Sequence, residues 1–183
     1  MSRNSTSGVP PPDPSPRAPL YTPEQRRRRD ASAWTLVQGV LAPVQFLVFL
    51  ISLALVLRFL WTGEGREWAV GSVVIKTLTL YAIMVTGCIW EKVVFGRYLF
   101  AAAFFWEDVF SMLVLALHTA YLAALWAGAV RDDALMGLAL AAYAAYVINA
   151  AQFLWKLRMA HRDEAQQAGA APNAGAPRHG VAA

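Results

Sequence analysis

The sequence predicts an all-α integral membrane protein: a bundle of four transmembrane helices with disordered tails. Three observations lead to this fold class. Apolar residues make up 57% of the 183-residue chain and charged residues only 15%, against about 45 to 50% and about 25% in ordinary soluble domains. Four separate segments are long and apolar enough to cross a bilayer. All seven tryptophans lie at the ends of those segments, as expected for a residue that prefers the boundary between lipid and water.

The four predicted spans each have about the 20 residues that cross a hydrocarbon core of about 30 Å. They lack the strict alternation of barrel strands, so we expect helices. They cover residues 36–60, 69–90, 104–127 and 134–157, within a membrane domain at 34–160. Residues 21–33 form a basic juxtamembrane segment, where Thr22 and Pro23 predict the start of a short surface helix. The remaining residues, 1–20 and 161–183, are expected to be disordered tails.

Tryptophans and basic residues agree on how the spans alternate. One predicted face carries Trp34, Trp90, Trp106 and Trp155, and the other carries Trp61, Trp68 and Trp126. The first face also carries most of the basic residues, namely Arg26 to Arg29, Lys92, Arg97, Lys156, Arg158 and Arg162. Because Lys and Arg are enriched on the cytoplasmic side, we expect both termini to be cytoplasmic.

Composition and motifs exclude several kinds of site. The single cysteine, Cys88, lies in an apolar run, so one chain cannot build a disulfide framework or a thiolate metal site. His118 is the only histidine in the spans, so one chain cannot hold a haem between two membrane histidines. The sequence has no GxGxxG, P-loop, HExxH or GxSxG motif and no signature of a nucleic-acid binder. We therefore expect no metal site and no nucleic-acid partner.

Polar side chains within the spans are the candidates for chemistry, because an ionisable residue at the bilayer centre costs about 2.5 to 3.5 kcal/mol. Counted at about 1.5 Å per residue, most of them lie in the cytoplasmic half of the membrane. Glu107, Ser111 and His118 follow one stripe of the third span. The full set is Gln38, Gln45, Lys76, Glu91, Glu107, Asp108, His118, Asn149, Gln152 and Lys156. This clustering predicts a polar pocket that opens towards the cytoplasm.

Each of these residues also has a purely structural explanation. The three carboxylates could reach water or pair with Lys92 or Arg97, and acids at a helix start suit the helix dipole. Lys76 could snorkel to the outer membrane face. His118 could be a packed, hydrogen-bonded core residue, and the amides of the fourth span could join neighbouring helices.

Several runs of the sequence together resemble one enzyme family. They are DASAWTLVQGVLAP at 30–43, VTGCIWEKVVFG at 85–96, FFWEDV at 104–109, HTAY at 118–121 and YVINAAQFLWK at 146–156. On these runs, the chain from about Tyr21 to Arg158 resembles the 2-vinyl bacteriochlorophyllide hydratase family. The resemblance is specific, because no common motif has this sequence.

The resemblance implies a hydro-lyase of bacteriochlorophyll synthesis that converts the 3-vinyl group of chlorophyllide a, or of a related bacteriochlorophyllide, to 3-(1-hydroxyethyl). It implies a tetrapyrrole substrate, a bacterial inner (cytoplasmic or intracytoplasmic) membrane, and other enzymes of bacteriochlorophyll synthesis as partners. Protonation of the terminal vinyl carbon would leave a cation that the macrocycle delocalises, and water would then attack the inner carbon. This chemistry needs an acid and a base, and we expect no cofactor.

The roles of individual residues are our own expectation from this chemistry. Desolvation favours the neutral form of a carboxyl group, which suits Glu107 as the proton donor, with Asp108 or Glu91 as the base. The choice among the three stays open. We predict that His118 contacts the central magnesium of the substrate and that Lys92 and Arg97 pair with its propionate. Trp106 would cover the flat ring, and the amides of Asn149 and Gln152 would line the pocket.

Two other classes of function compete with a hydratase. A non-catalytic pigment carrier or assembly factor would need His118 and the aromatic loop predicted between the second and third spans, residues 92–103, but not the acids. A small four-helix exporter typically centres a carboxylate in its first span, whereas this span holds only Gln38 and Gln45. Purified protein incubated with chlorophyllide separates the first two, because only an enzyme would remove the vinyl group and shift the absorption of the pigment.

Overall fold

The computed structural model describes residues 20–128 and 130–170, and this part of the chain contains five helices. They are α1 (Pro23–Ala31), α2 (Ala33–Thr62), α3 (Arg66–Phe95), α4 (Phe105–Ala127) and α5 (Asp132–Ala170). By length and composition, α2 to α5 can each cross a membrane. The predicted all-α class with four transmembrane helices is confirmed.

Helix α1 begins where the sequence predicts. The Thr22 hydroxyl accepts a hydrogen bond from the Gln25 N–H, and the Gln25 side chain accepts one from the Thr22 N–H, which is a capping box. Tyr21 stacks on Phe95 at the end of α3, so α1 is anchored against the bundle. Ser32 ends α1 and caps α2 by accepting from the Trp34 N–H.

Glycines end the first two spans. Gly63 follows α2 with φ 75° and Gly96 follows α3 with φ 80°. Glycine adopts this left-handed conformation without the penalty that a Cβ brings. Gly63 therefore allows the chain to reverse between α2 and α3 in a few residues, and Gly96 allows it to leave α3 for the aromatic loop.

Two helices extend well beyond their predicted C-terminal ends. Helix α3 continues to Phe95 instead of ending at 90, so the aromatic loop spans residues 96–104. Helix α5 continues to Ala170, ten residues past the predicted domain boundary at 160, because residues 158–170 are mostly good helix formers. The rest of the two predicted tails, 1–19 and 171–183, lies outside the described residues.

The bundle consists of two helical hairpins. Helix α2 packs mainly against α3, and α4 packs mainly against α5, whereas contacts between the hairpins are fewer and join α2 to α5 and α3 to α4. We call the boundary between the hairpins the seam. It is marked by the contacts of Phe49 with Tyr143 and Tyr146, of Ser52 with Tyr143 and of Lys76 with Tyr146.

Candidate active site

Three carboxyl groups come together where α3 ends and α4 begins. Glu91 lies one turn before the end of α3, and Glu107 and Asp108 lie in the first turn of α4. All three side chains are buried. Glu91 and Asp108 are within hydrogen-bonding reach of each other, and Asp108 also interacts electrostatically with Glu107. We call these three residues the carboxyl cluster.

Two of the three acids hold the aromatic loop in place. The Phe100 N–H donates to Asp108 Oδ2 at 2.7 Å, and the Ala101 N–H donates to Glu91 Oε1 at 3.0 Å. Phe100 has a φ of 60°, a strained value for a bulky residue, and these bonds help to fix it. Each acid retains a second carboxyl oxygen that these bonds do not use.

The third acid forms an ion pair with α5. Lys156 Nζ lies 2.6 Å from Glu107 Oε2 and 5.0 Å from the centre of the Phe104 ring. Glu107 therefore does not follow the alternative explanation in which the acids pair with Lys92 or Arg97. Lys92 instead donates to the Gly96 carbonyl oxygen, because that oxygen lies one turn away on the same helix end.

The polar stripe of α4 faces the interior of the bundle. Ser111 accepts a hydrogen bond from Asn149 Nδ2 at 2.9 Å, and His118 contacts the Val114 carbonyl oxygen through Nδ1 at 2.8 Å. Asn149 Oδ1, Gln152 Oε1 and His118 Nε2 are buried and have no hydrogen-bond partner among the described residues. The two predicted amides therefore lie on the route from the carboxyl cluster into the bundle.

His118 is remote from the carboxyl cluster. It lies ten residues beyond Asp108 along α4, about 15 Å deeper, and its exposed fraction is 0%. The central metal and the vinyl group of a tetrapyrrole are separated by only one ring radius. One bound macrocycle therefore does not place its central ion on His118 while its vinyl group contacts Asp108.

The structure overturns the expectation that Lys76 snorkels to the membrane surface. Its exposed fraction is 0%, and its Nζ lies 3.8 Å from the centre of the Tyr146 ring. The reason is that Lys76 shares a helix face with the buried residues Ala69, Val73 and Leu80, the face that packs on the core. The sequence alone does not show this burial, because apolar residues line the other faces of α3 as well.

Aromatic side chains surround the loop on the outside. Tyr98, Phe105 and Trp106 are exposed, and the Phe105 ring lies 5.5 Å from Trp106 and 5.7 Å from Phe100. Phe104 is buried in a separate aromatic cluster and cannot cover a ligand. Contacts of Trp106, Lys92 and Arg97 with a substrate stay predictions.

Other places in the described residues offer less chemistry. A groove of about 500 Å³ lies between α2 and α3 near their connecting turn, and most of its lining is apolar, as at Val48, Ile51 and Leu55. Among the side chains that the structure describes, no three of His, Cys, Asp or Glu are arranged to hold a metal ion. The carboxyl cluster is therefore the strongest candidate for an active site.

A four-helix membrane bundle with buried acids at one end defines a multi-pass membrane protein with the groups that general acid–base catalysis requires. The model of the 2-vinyl bacteriochlorophyllide hydratase family matches residues 21–159, and the chain belongs to this family. It is a hydro-lyase, as the resemblance implied.

Curated relatives agree with this assignment. This chain is 70% identical to a protein of Cereibacter sphaeroides named 2-vinyl bacteriochlorophyllide hydratase. The match extends over 152 residues, which are 81% of this chain and 94% of the relative. The chain is also 66% identical to a protein of Rhodobacter capsulatus with the same name, over 157 residues that are 86% of this chain and 91% of the relative. No solved structure matches the chain.

Proposed function

We propose that this chain adds water to the vinyl group of a chlorophyllide-type tetrapyrrole at the carboxyl cluster. The observation that carries the proposal is the charge pattern of the three buried acids: Glu107 has a counter-ion in Lys156, whereas Glu91 and Asp108 contact each other. The name of the relatives supports the choice of substrate. The excess of Lys and Arg on the same side supports a position of the cluster at the cytoplasmic face of a bacterial inner membrane.

The charge pattern assigns different roles to the acids. In its ion pair Glu107 is a carboxylate, so it has no proton to give. Among the residues that the structure describes, no cation forms an ion pair with Glu91 or Asp108. Two carboxyl groups in contact are stabilised when they share one proton. We therefore assign the proton donor to the Glu91–Asp108 pair, with Asp108 nearer to Glu107, instead of to Glu107 itself.

The reaction then takes three steps. The shared proton bonds to the terminal vinyl carbon, which leaves a positive charge on the inner carbon that the conjugated macrocycle delocalises. A water molecule oriented by the Glu107 carboxylate bonds to the inner carbon through its oxygen and loses a proton to the cluster. The pair regains its proton, and one water has been added. No electrons are transferred, so the residues need no redox cofactor.

The decisive experiment separates catalysis by Asp108 from its role in holding the loop. Asp108→Asn keeps an oxygen that accepts from the Phe100 N–H but cannot donate the proton. We expect turnover to fall about 10²- to 10⁴-fold with little change in thermal stability. Asp108→Ala should lose activity and also about 1 to 3 kcal/mol of stability, because the Phe100 N–H loses its partner.

The assay follows the absorption of the pigment in detergent-solubilised protein as the vinyl group leaves the conjugated system. Asp133→Asn is the matched control, because Asp133 is an exposed acid at the other end of the bundle that pairs with Arg131. Near-normal turnover of Asp108→Asn would exclude Asp108 as the donor. Wild-type protein that binds pigment without any absorption shift would indicate a carrier and refute the hydratase proposal.

A further inference from the structure

Lys76 brings its amino group into the core of the bundle, where the described residues offer no anion within ion-pair distance. Its Nζ has no hydrogen-bond partner among the described residues. Nζ lies instead over the face of the Tyr146 ring, 3.8 Å from the ring centre. An unpaired ammonium group in such a place is strongly unfavourable. Ionisable residues inside membrane spans usually take part in function and have an identifiable partner.

The same interior contains further polar atoms that have no hydrogen-bond partner in the part of the chain that the structure describes. The Val114 carbonyl oxygen can only accept, so His118 Nδ1 donates to it, and His118 Nε2 is left as a free acceptor. Lys76 interacts electrostatically with His118 across the seam. On α5, Asn149 Oδ1 and Gln152 Oε1 are also unpaired. These groups are supplied by α3, α4 and α5, so they come from both hairpins.

The spacing of the charges fits one elongated ligand. Lys76 Nζ touches Tyr146, which lies ten residues along α5 from Lys156, the partner of Glu107. The ammonium group is therefore about 15 Å from the carboxyl cluster along the bundle. This distance is comparable to the span of a chlorophyllide from its vinyl group, along one side of the ring, to the end of its propionate side chain, with a contact distance added at each end.

We propose that the seam binds the macrocycle, and that Lys76 pairs with the propionate carboxylate while the vinyl group lies at the carboxyl cluster. The identity of the ligand rests on the proposed function. The hairpins contact each other less than the helices within each hairpin do, so they are the elements that separate to admit a flat ring. Lys92 and Arg97 are exposed, and exposed ion pairs contribute little.

The test compares a substrate that has a free propionate with its methyl ester. Wild-type protein should bind the free acid about 10- to 100-fold more tightly than the ester, the range for a buried charged hydrogen bond. Lys76→Met should bind both forms equally, at the level of the ester. Lys92→Met and Arg97→Met should keep the preference. Loss of the preference in either of these two variants, with retention in Lys76→Met, would overturn the proposal.

Lys76→Met is expected to keep the fold, because it replaces a buried amino group that has no hydrogen-bond partner among the described residues by an apolar side chain. Lys76→Met should fold and, without pigment, melt at a higher temperature than wild type; a lower melting temperature would count against an unpaired Lys76. Binding is followed by quenching of tryptophan fluorescence, so it does not depend on turnover. Preference for the free acid without hydration would refute the proposed function and leave the role of Lys76 supported. Hydration of both forms with equal KM in wild type would refute the role of Lys76 alone.

Discussion

The ion pair between Glu107 and Lys156 ties α4 to α5 at the carboxyl cluster, so its removal should change stability and activity together. The Lys156 and Glu107 side chains are only 24% and 10% exposed, and their charged atoms are 2.6 Å apart. Lys156→Met leaves a buried carboxylate without a counter-ion, which costs about 3 to 5 kcal/mol.

Glu107→Gln should cost less than Lys156→Met. The amide oxygen can still accept from the ammonium group, and Lys156 keeps its contact with the Phe104 ring, so we expect about 1 to 2 kcal/mol. The double variant buries no carboxylate and should cost less than the sum of the single variants. The difference, the coupling free energy, should be about 1.5 to 3 kcal/mol.

The assay is the unfolding free energy of the four proteins in mixed micelles at pH 7, measured by titration with a denaturing detergent, with turnover measured in parallel. The exposed pair of Arg131 and Asp133 is the matched control, and its double-variant cycle should give a coupling below about 1 kcal/mol. Additive costs within about 0.5 kcal/mol for Glu107 and Lys156 would refute the buried ion pair. Full turnover in Lys156→Met would refute the need for an ionised Glu107.

Two further predictions follow from the loop and its flanking helix. Glu91→Gln keeps an acceptor for the Ala101 N–H, so the aromatic loop should keep its structure while turnover falls about 10²- to 10⁴-fold. The same absorption assay measures this loss, and activity within about threefold of wild type would exclude Glu91 from proton transfer. Gly96→Ala forces a Cβ into φ 80° and should lower the unfolding free energy by about 1 to 2 kcal/mol. Gly137→Ala is its control, because this position lies inside α5 with open space around it, and it should be neutral or stabilising by up to about 1 kcal/mol.

The local features of this protein could be predicted from the sequence. A membrane helix must satisfy its own backbone hydrogen bonds and match the thickness of the bilayer, so its position depends only on its own residues. For the same reason the start of α1 at Thr22 and Pro23 was predictable from a capping pattern a few residues long. The sequence also placed the chain in its family, because the runs that carry the resemblance are read without any knowledge of contacts.

Only the tertiary structure decided which polar groups meet. Lys156 is 49 residues from Glu107, and nothing local distinguishes it from the nearer Lys92 and Arg97 as a partner. Whether Lys76 reaches the membrane surface or the seam depends on which face of α3 packs against the other hairpin. The end of α5 was also beyond prediction, since hydropathy marks where a helix leaves the hydrocarbon but not where it stops. These outcomes depend on how separate helices pack side by side, which is a property of the whole bundle.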